Sequence, residues 1–159
     1  MSSHRGPATT LLIAALCVGA AQAARADGDA PSGRAPPPPL PRYAQECGAC
    51  HLPYPPALLP AASWRRLMSR LPHHFGTDAS LDAATAGELL AWLLRHAGSG
   101  AAEPPEDRIT RAAWFVREHR EIAAAVWQRP AVKSPSQCGA CHTAADRGAF
   151  DEHRIRIPR

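Results

Sequence analysis

Two identical pentapeptides, Cys47-Gly48-Ala49-Cys50-His51 and Cys138-Gly139-Ala140-Cys141-His142, hold four of the five cysteines. The pattern is C-x-x-C-H, twice. In an exported chain it reads as covalent attachment of haem c. Two thiols one helical turn apart can each add to a vinyl group on the same porphyrin edge. The histidine that follows then projects to the iron as the proximal ligand, and small Gly and Ala let the porphyrin lie close to the backbone. Cys47, Cys50, Cys138 and Cys141 are therefore expected to carry two haem c groups, with His51 and His142 as proximal ligands. Disulfide pairing is what export alone suggests, but it does not account for a His directly after each pair. A Cys/His zinc site belongs to cytosolic chains, and a thioredoxin-like pair needs a βαβ context that is absent.

The sixth ligand decides between electron transfer and chemistry at an open iron. The candidates are His73, His74, His96, His119, His153 and Met68. His119 falls in an expected helix from about Arg111 to Trp127, on one face with Phe115, Ile122 and Val126, and a haem is attached shortly downstream. His73 and His74 follow Pro72 in a loop before Gly76, where an imidazole can swing over a porphyrin face; spacing does not choose between them. His96 sits in the last turn before Gly98, where the helix dipole and orphan carbonyls account for it. His153 lies among arginines near the terminus, and Met68 belongs to the apolar stripe Trp64-Leu67-Met68-Leu71. Histidine on both faces of both irons is the preferred reading. Lacking the thioether of Met/His cytochromes, such haems have comparatively low potentials.

The rest of the chain must export and enclose these groups. Residues 1–26 read as a signal peptide: His4 and Arg5, an apolar run from Leu11 to Ala21 too short for a membrane span, then small residues with cleavage near Ala26. Cleavage removes Cys17, Arg5 and Arg25, and lowers the formal charge from +4 to +2. The haem propionates then bring the protein to about neutral, so the pI near 9.1 is no argument for an acidic partner. All but one of the 18 cations are Arg, and their scatter excludes a nucleic-acid arm. Residues 27–42, with four consecutive prolines, read as an extended leader outside any core. No other segment is apolar enough to span a bilayer, so the mature product is expected in the periplasm. Its core is thin, because much of its apolar content is Ala, which contributes little burial. Haem would thicken it, with Trp64, Trp92, Trp114 and Trp127 as candidates for packing against it or for ordinary core.

The chain also contains Glu46 to His51, Tyr54-Pro55-Pro56, Leu58-Leu59-Pro60, Ser63-Trp64, His74-Phe75-Gly76 and Asp78-Ala79-Ser80-Leu81. Further on come Arg108-Ile109-Thr110, Trp114-Phe115 with His119, Cys138 to His142, and Ile155-Arg156-Ile157-Pro158. Across the body from Tyr43 to Arg159 this resembles the small bacterial dihaem cytochrome c family, known as an electron donor to the sphaeroides-type haem protein. The resemblance implies a soluble periplasmic carrier with two bis-histidine haems and two small lobes, the N-terminal one like a class I cytochrome c. It also implies His74 and His119 as distal ligands. Its implied partners are a monohaem, oxygen-binding cytochrome and a membrane b-type cytochrome.

The expected architecture is mainly α with extensive coil. A first haem lobe spans 43–97, with a short helix carrying Cys47–Cys50, a second at Ser63–Leu71 and a third at about Leu81–His96. A flexible linker covers 98–108. The second lobe, 109–159, has the His119 helix, a second haem helix and an irregular tail. His74 pairs with the first haem and His119 with the second because each shares its lobe, the crossed pairing staying open. The expected function is one-electron relay, not catalysis. The rivals are a dihaem peroxidase-like enzyme and a gas-binding haem sensor, each needing one open or labile axial position.

Overall fold

The computed structural model describes residues 40–99 and 102–159. The signal peptide, its cleavage near Ala26, Cys17 and nearly all of the leader lie outside the described residues. The leader ends sooner than its composition suggests. Leu40 packs against the core, and helix α1, Pro41–Gly48, starts at the proline. Proline suits this position because its missing N–H has no helical partner there and its φ is already helical.

Two longer helices build the first half. Helix α2 spans Ala61–Ser69, and α3 spans Ala83–His96, capped by the Asp82 carboxylate, which accepts from the Thr85 N–H at 2.9 Å. In α3, Leu89, Trp92 and Leu93 fall three and four residues apart, so all three face α2 and α1. With Tyr43, Leu59 and Trp64 they form the largest buried cluster. Tyr43 packs on Trp92, ring centres 4.9 Å apart, and the Trp64 indole donates to the Pro56 carbonyl at 2.7 Å. Both tryptophans thus serve as ordinary core.

The connection at 98–108 is not the free linker its Gly and Pro content suggests, although Gly100 and Ala101 lie outside the described residues. Gly98 donates its N–H to the Leu59 carbonyl at 2.9 Å, and a Cβ there would collide with the Ala57 carbonyl. Further on, Arg66 of α2 grips Asp107 through two parallel bonds of 2.9 and 2.6 Å and Glu103 at 2.8 Å. The Arg66 guanidinium holds the Asp107 carboxyl below the usual carboxylate range. Ile109, expected to open the second lobe, packs against the first core.

The second half departs furthest from its helical expectation. In place of one helix from Arg111 to Trp127 stand two short ones, α4 at Ala113–Glu118 and α5 at Ala124–Trp127. The break is at His119, whose backbone N–H and ring Nδ1 both bond the Phe115 carbonyl, at 3.1 and 2.9 Å. The side chain folds back over the last turn, and the exposed run behind it, Arg120 and Glu121, has no apolar face to continue the helix. The second haem helix is a 3₁₀ turn, Cys138–Ala140. In the first motif, α1 stops at Gly48, before Cys50. The C-terminal tail clamps the second motif: Ile155 bridges His142, and the Arg156 N–H donates to the Cys141 carbonyl at 2.9 Å. Among the described residues there is no strand beyond isolated bridges, and no helix is long and apolar enough to cross a membrane. The mainly helical, coil-rich class expected from the sequence holds.

Replacing Gly98 by Ala should lower stability by about 1–3 kcal/mol, the range for forcing extra volume into a packed site. The guanidinium unfolding midpoint of the haem-loaded protein measures it; an unchanged midpoint would contradict the close approach to Ala57.

Candidate metal centres

The first centre is assembled by α1, the loop after it and the turn after α2. Cys47 occupies the last turn of α1, half-buried, and Cys50 is exposed beyond it. Burial, with the Glu46 carboxylate adding, pushes the unmodified Cys47 thiol up to about 11. His51 follows, its Nδ1 2.7 Å from the Leu52 carbonyl. A carbonyl only accepts, so Nδ1 carries the proton and Nε2 is left bare for a metal.

His74 directly follows the 3₁₀ turn Leu71–His73. There the chain reverses through Phe75 and Gly76, both at positive φ, 51° and 96°. Such a φ is unusual for Phe. It is held by His74 edge-on at 4.9 Å and by the Arg108 guanidinium 4.2 Å over its ring. The turn sets the His74 ring opposite His51, with centres 6.2 Å apart and planes 20° apart. Its Nδ1 is buried without a hydrogen-bond partner. Burial, then the neighbouring His51, lowers the affinity of His74 for a proton.

The second centre repeats this arrangement from different parts. Cys138 and Cys141 are half-buried, and burial raises both thiols. His142 has a buried Nδ1 without a partner, and burial, then His119, lowers its pKa. His119 is anchored on the opposite side by its Nδ1–H to the Phe115 carbonyl and by the Phe115 ring, stacked at 4.0 Å and 19°. Trp127 lies 5.8 Å from it and Phe150 5.3 Å from His142. The two imidazoles stand 6.1 Å apart, planes at 74°.

These separations test the fit of an iron between the rings. A metal–imidazole bond of about 2 Å on each side, plus a ring radius of about 1.2 Å at each end, spaces two ring centres by about 6.4 Å. Both pairs have that spacing, which is too wide for direct ring contact. Each pair also presents one ring with its Nδ1–H on a carbonyl, the usual way a ligating His is oriented. Burial disfavours the imidazolium form that a metal excludes. Two imidazoles leave most of an iron's coordination to be supplied by the group itself, as a porphyrin would, and the adjacent thiols would hold it through thioether bonds.

Other candidates stand elsewhere. His73 is exposed. His96 rests on Trp92, ring centres 5.2 Å apart, in the last turn of α3. Met68 packs against the first core, and His153 is exposed in the tail. Residue spacing did not reveal the orienting groups. These are the Leu52 and Phe115 carbonyls, Phe150, and Tyr54, which stacks on His51 at 4.8 Å. An aromatic three residues after a C-x-x-C-H histidine was the available signal for Tyr54.

Two C-x-x-C-H segments, each with a second imidazole facing its histidine, define a c-type cytochrome with two haems. The sequence model for dihaem cytochrome c matches residues 43–150, and the chain belongs to that family, whose members carry two c-type haems. It is similar to the diheme cytochrome c of Shewanella baltica OS155 at 41% identity, over 74% of this chain and 92% of that one, with a TM-score of 0.68. It is similar to the diheme cytochrome c from Rhodobacter sphaeroides at 43% identity, over 70% and 96% of the two chains, with a TM-score of 0.63. A second structure from that organism gives 44% identity and a TM-score of 0.59 over the same shares. No curated protein sequence matches significantly.

Converting Cys138 and Cys141 together to Ala should leave a protein with one covalent haem. Mass spectrometry after extraction with acidified acetone reads the number directly, and two retained haems would exclude these thiols as the attachment point.

Proposed function

We propose that this chain is an exported one-electron carrier in which His51 with His74, and His119 with His142, each hold an iron from both sides. The observation that carries the reading is the spacing of the two imidazole pairs, 6.2 and 6.1 Å between ring centres. When bound, haem supplies a one-electron iron couple, here at the low potential that nitrogen ligation on both faces favours.

The chain's own contribution is to fill and fix. Both imidazoles of each pair occupy the positions that oxygen, carbon monoxide or peroxide would need. The Leu52 and Phe115 carbonyls orient the rings of His51 and His119 with Nε2 bare for a metal, and Phe115, Trp127 and Phe150 pack around the second pair. An enzyme or a gas sensor would need one of the four histidines to be missing or loosely held. Export to the periplasm rests on the signal-like residues 1–26. Its partners in this reading are redox proteins: a monohaem, oxygen-binding cytochrome and a membrane b-type cytochrome. Both are carried over from the family resemblance.

A reductive titration followed optically, repeated under carbon monoxide, tests the proposal. Two low-spin haems unresponsive to the gas support a carrier, and a high-spin fraction that binds it supports catalysis or sensing. His74→Ala and His119→Ala should each render one haem high-spin and gas-binding, whereas His96→Ala should leave both low-spin. A low-spin spectrum in either of the first two variants removes that residue from the ligand set.

The ring planes give a second, independent readout. Near-parallel imidazoles at 20° lift the degeneracy of the iron dπ orbitals, whereas rings at 74° leave them nearly degenerate. The ferric protein should therefore show two electron paramagnetic resonance signals, one rhombic and one highly anisotropic. A single signal of either kind would contradict the assigned pairs.

A further inference from the structure

Tyr54 touches both haem-binding segments. Its ring stacks on His51, centres 4.8 Å and planes 22° apart. Its hydroxyl donates to the Ser136 carbonyl at 2.8 Å, across 82 positions of sequence. The Cys138 thiol reaches the same carbonyl at 3.7 Å. The Tyr54 backbone is held as firmly as its side chain. It lies between Pro53 and Pro55, whose rings fix φ on either side. Its carbonyl accepts from the buried Tyr43 hydroxyl at 2.7 Å, and Tyr43 packs on Trp92 in the first core.

A packing role alone does not account for this placement. The two halves are already joined by Arg66 to Asp107 and by Ile109 in the first core. An imidazole bonded to a metal through Nε2 remains free to turn about that bond. The Leu52 carbonyl restrains one edge of the His51 ring, and the flat face is restrained by Tyr54. Tyr54 can hold that face steadily only if its own ring is fixed at the far end, and the hydroxyl bond to Ser136 does this.

We infer that Tyr54 is a positioning residue that sets the plane of the His51 imidazole, with its hydroxyl anchored on the Ser136 carbonyl of the second haem-binding segment. The role rests on the bis-histidine reading above. Through it the angle between His51 and His74, and with it the potential of the first centre, depends on a contact made in the second half.

Tyr54→Leu removes both the stack and the anchor, and Tyr54→Phe removes the anchor alone. Both are made in the full-length, haem-loaded protein and compared by electron paramagnetic resonance and optical redox titration. Tyr54→Leu should move the rhombic signal and one midpoint potential while the highly anisotropic signal stays in place. Tyr54→Phe should move the same signal in the same direction by less. Unchanged signals and potentials in both variants overturn the role, as does an equal displacement of both signals, which marks general loosening. Should Tyr54→Leu not accumulate with two haems, Tyr54→Phe decides alone, and a wild-type spectrum with wild-type potentials overturns it. A wild-type protein without two low-spin signals removes the bis-histidine reading, and this role with it; two such signals that Tyr54 variants leave untouched remove only the role.

Discussion

Two imidazole rings held about 6 Å apart, twice over, impose the constraint around which this chain is built. Rings at that distance gain nothing from each other, so each must be fixed from behind. In the first pair His51 is fixed by the Leu52 carbonyl and by Tyr54. In the second pair His119 is fixed by the carbonyl and the ring of Phe115. The opposite rings, His74 and His142, have partnerless buried Nδ1 atoms and are placed by backbone turns instead. Each pair thus joins one ring oriented by a hydrogen bond to one ring oriented by the chain.

The halves meet this demand with different means. The first has two packed helices, and its buried cluster contains Leu59, Leu89 and Leu93 with three aromatic rings. The second has short helices and 3₁₀ turns, and its buried apolar residues are Ala112, Phe115, Val132, Ala144 and Ala145. Apart from Phe115 these side chains are small and bury little area. A segment of about fifty such residues falls below the size at which a hydrophobic core alone suffices. A covalently attached porphyrin, large and flat, is the kind of cross-link and core that such a segment lacks. The tail from Ile155 to Pro158 adds local closure by bonding Cys141 and Arg129.

What the sequence made legible follows from which choices are local. Thioether attachment depends on a five-residue spacing, so the cysteines and their following histidines stood out at once. Helices α2 and α3 were legible because their apolar positions keep a helical period against a single core. The break at His119 was not, because the same period runs on through Ile122 and Val126; only the fold-back of the His119 ring onto Phe115 ends the helix. That His74 and not His73 faces His51 was likewise out of reach of spacing, since it depends on the left-handed turn at Phe75 and Gly76. The 98–108 segment has the composition of a free linker, and its tie to the first core appears only when Arg66 is seen between Glu103 and Asp107.

The two pentapeptides, identical in sequence, end in histidines held in different ways. One lies at the end of α1, and its histidine bonds the carbonyl of the next residue, Leu52. The other lies in a 3₁₀ turn, and the corresponding Nδ1 of His142 finds no partner. In the second pair the anchored ring is instead His119, which faces His142. A hydrogen bond from Nδ1–H to a carbonyl makes an imidazole a stronger donor through Nε2. The ring so strengthened is the one inside the pentapeptide in the first pair and the one facing it in the second. Combined with ring planes at 20° in one pair and 74° in the other, this makes the two centres inequivalent although their attachment sequences are the same. Identical pentapeptides thus end in histidines whose rings the surrounding backbone holds in different ways.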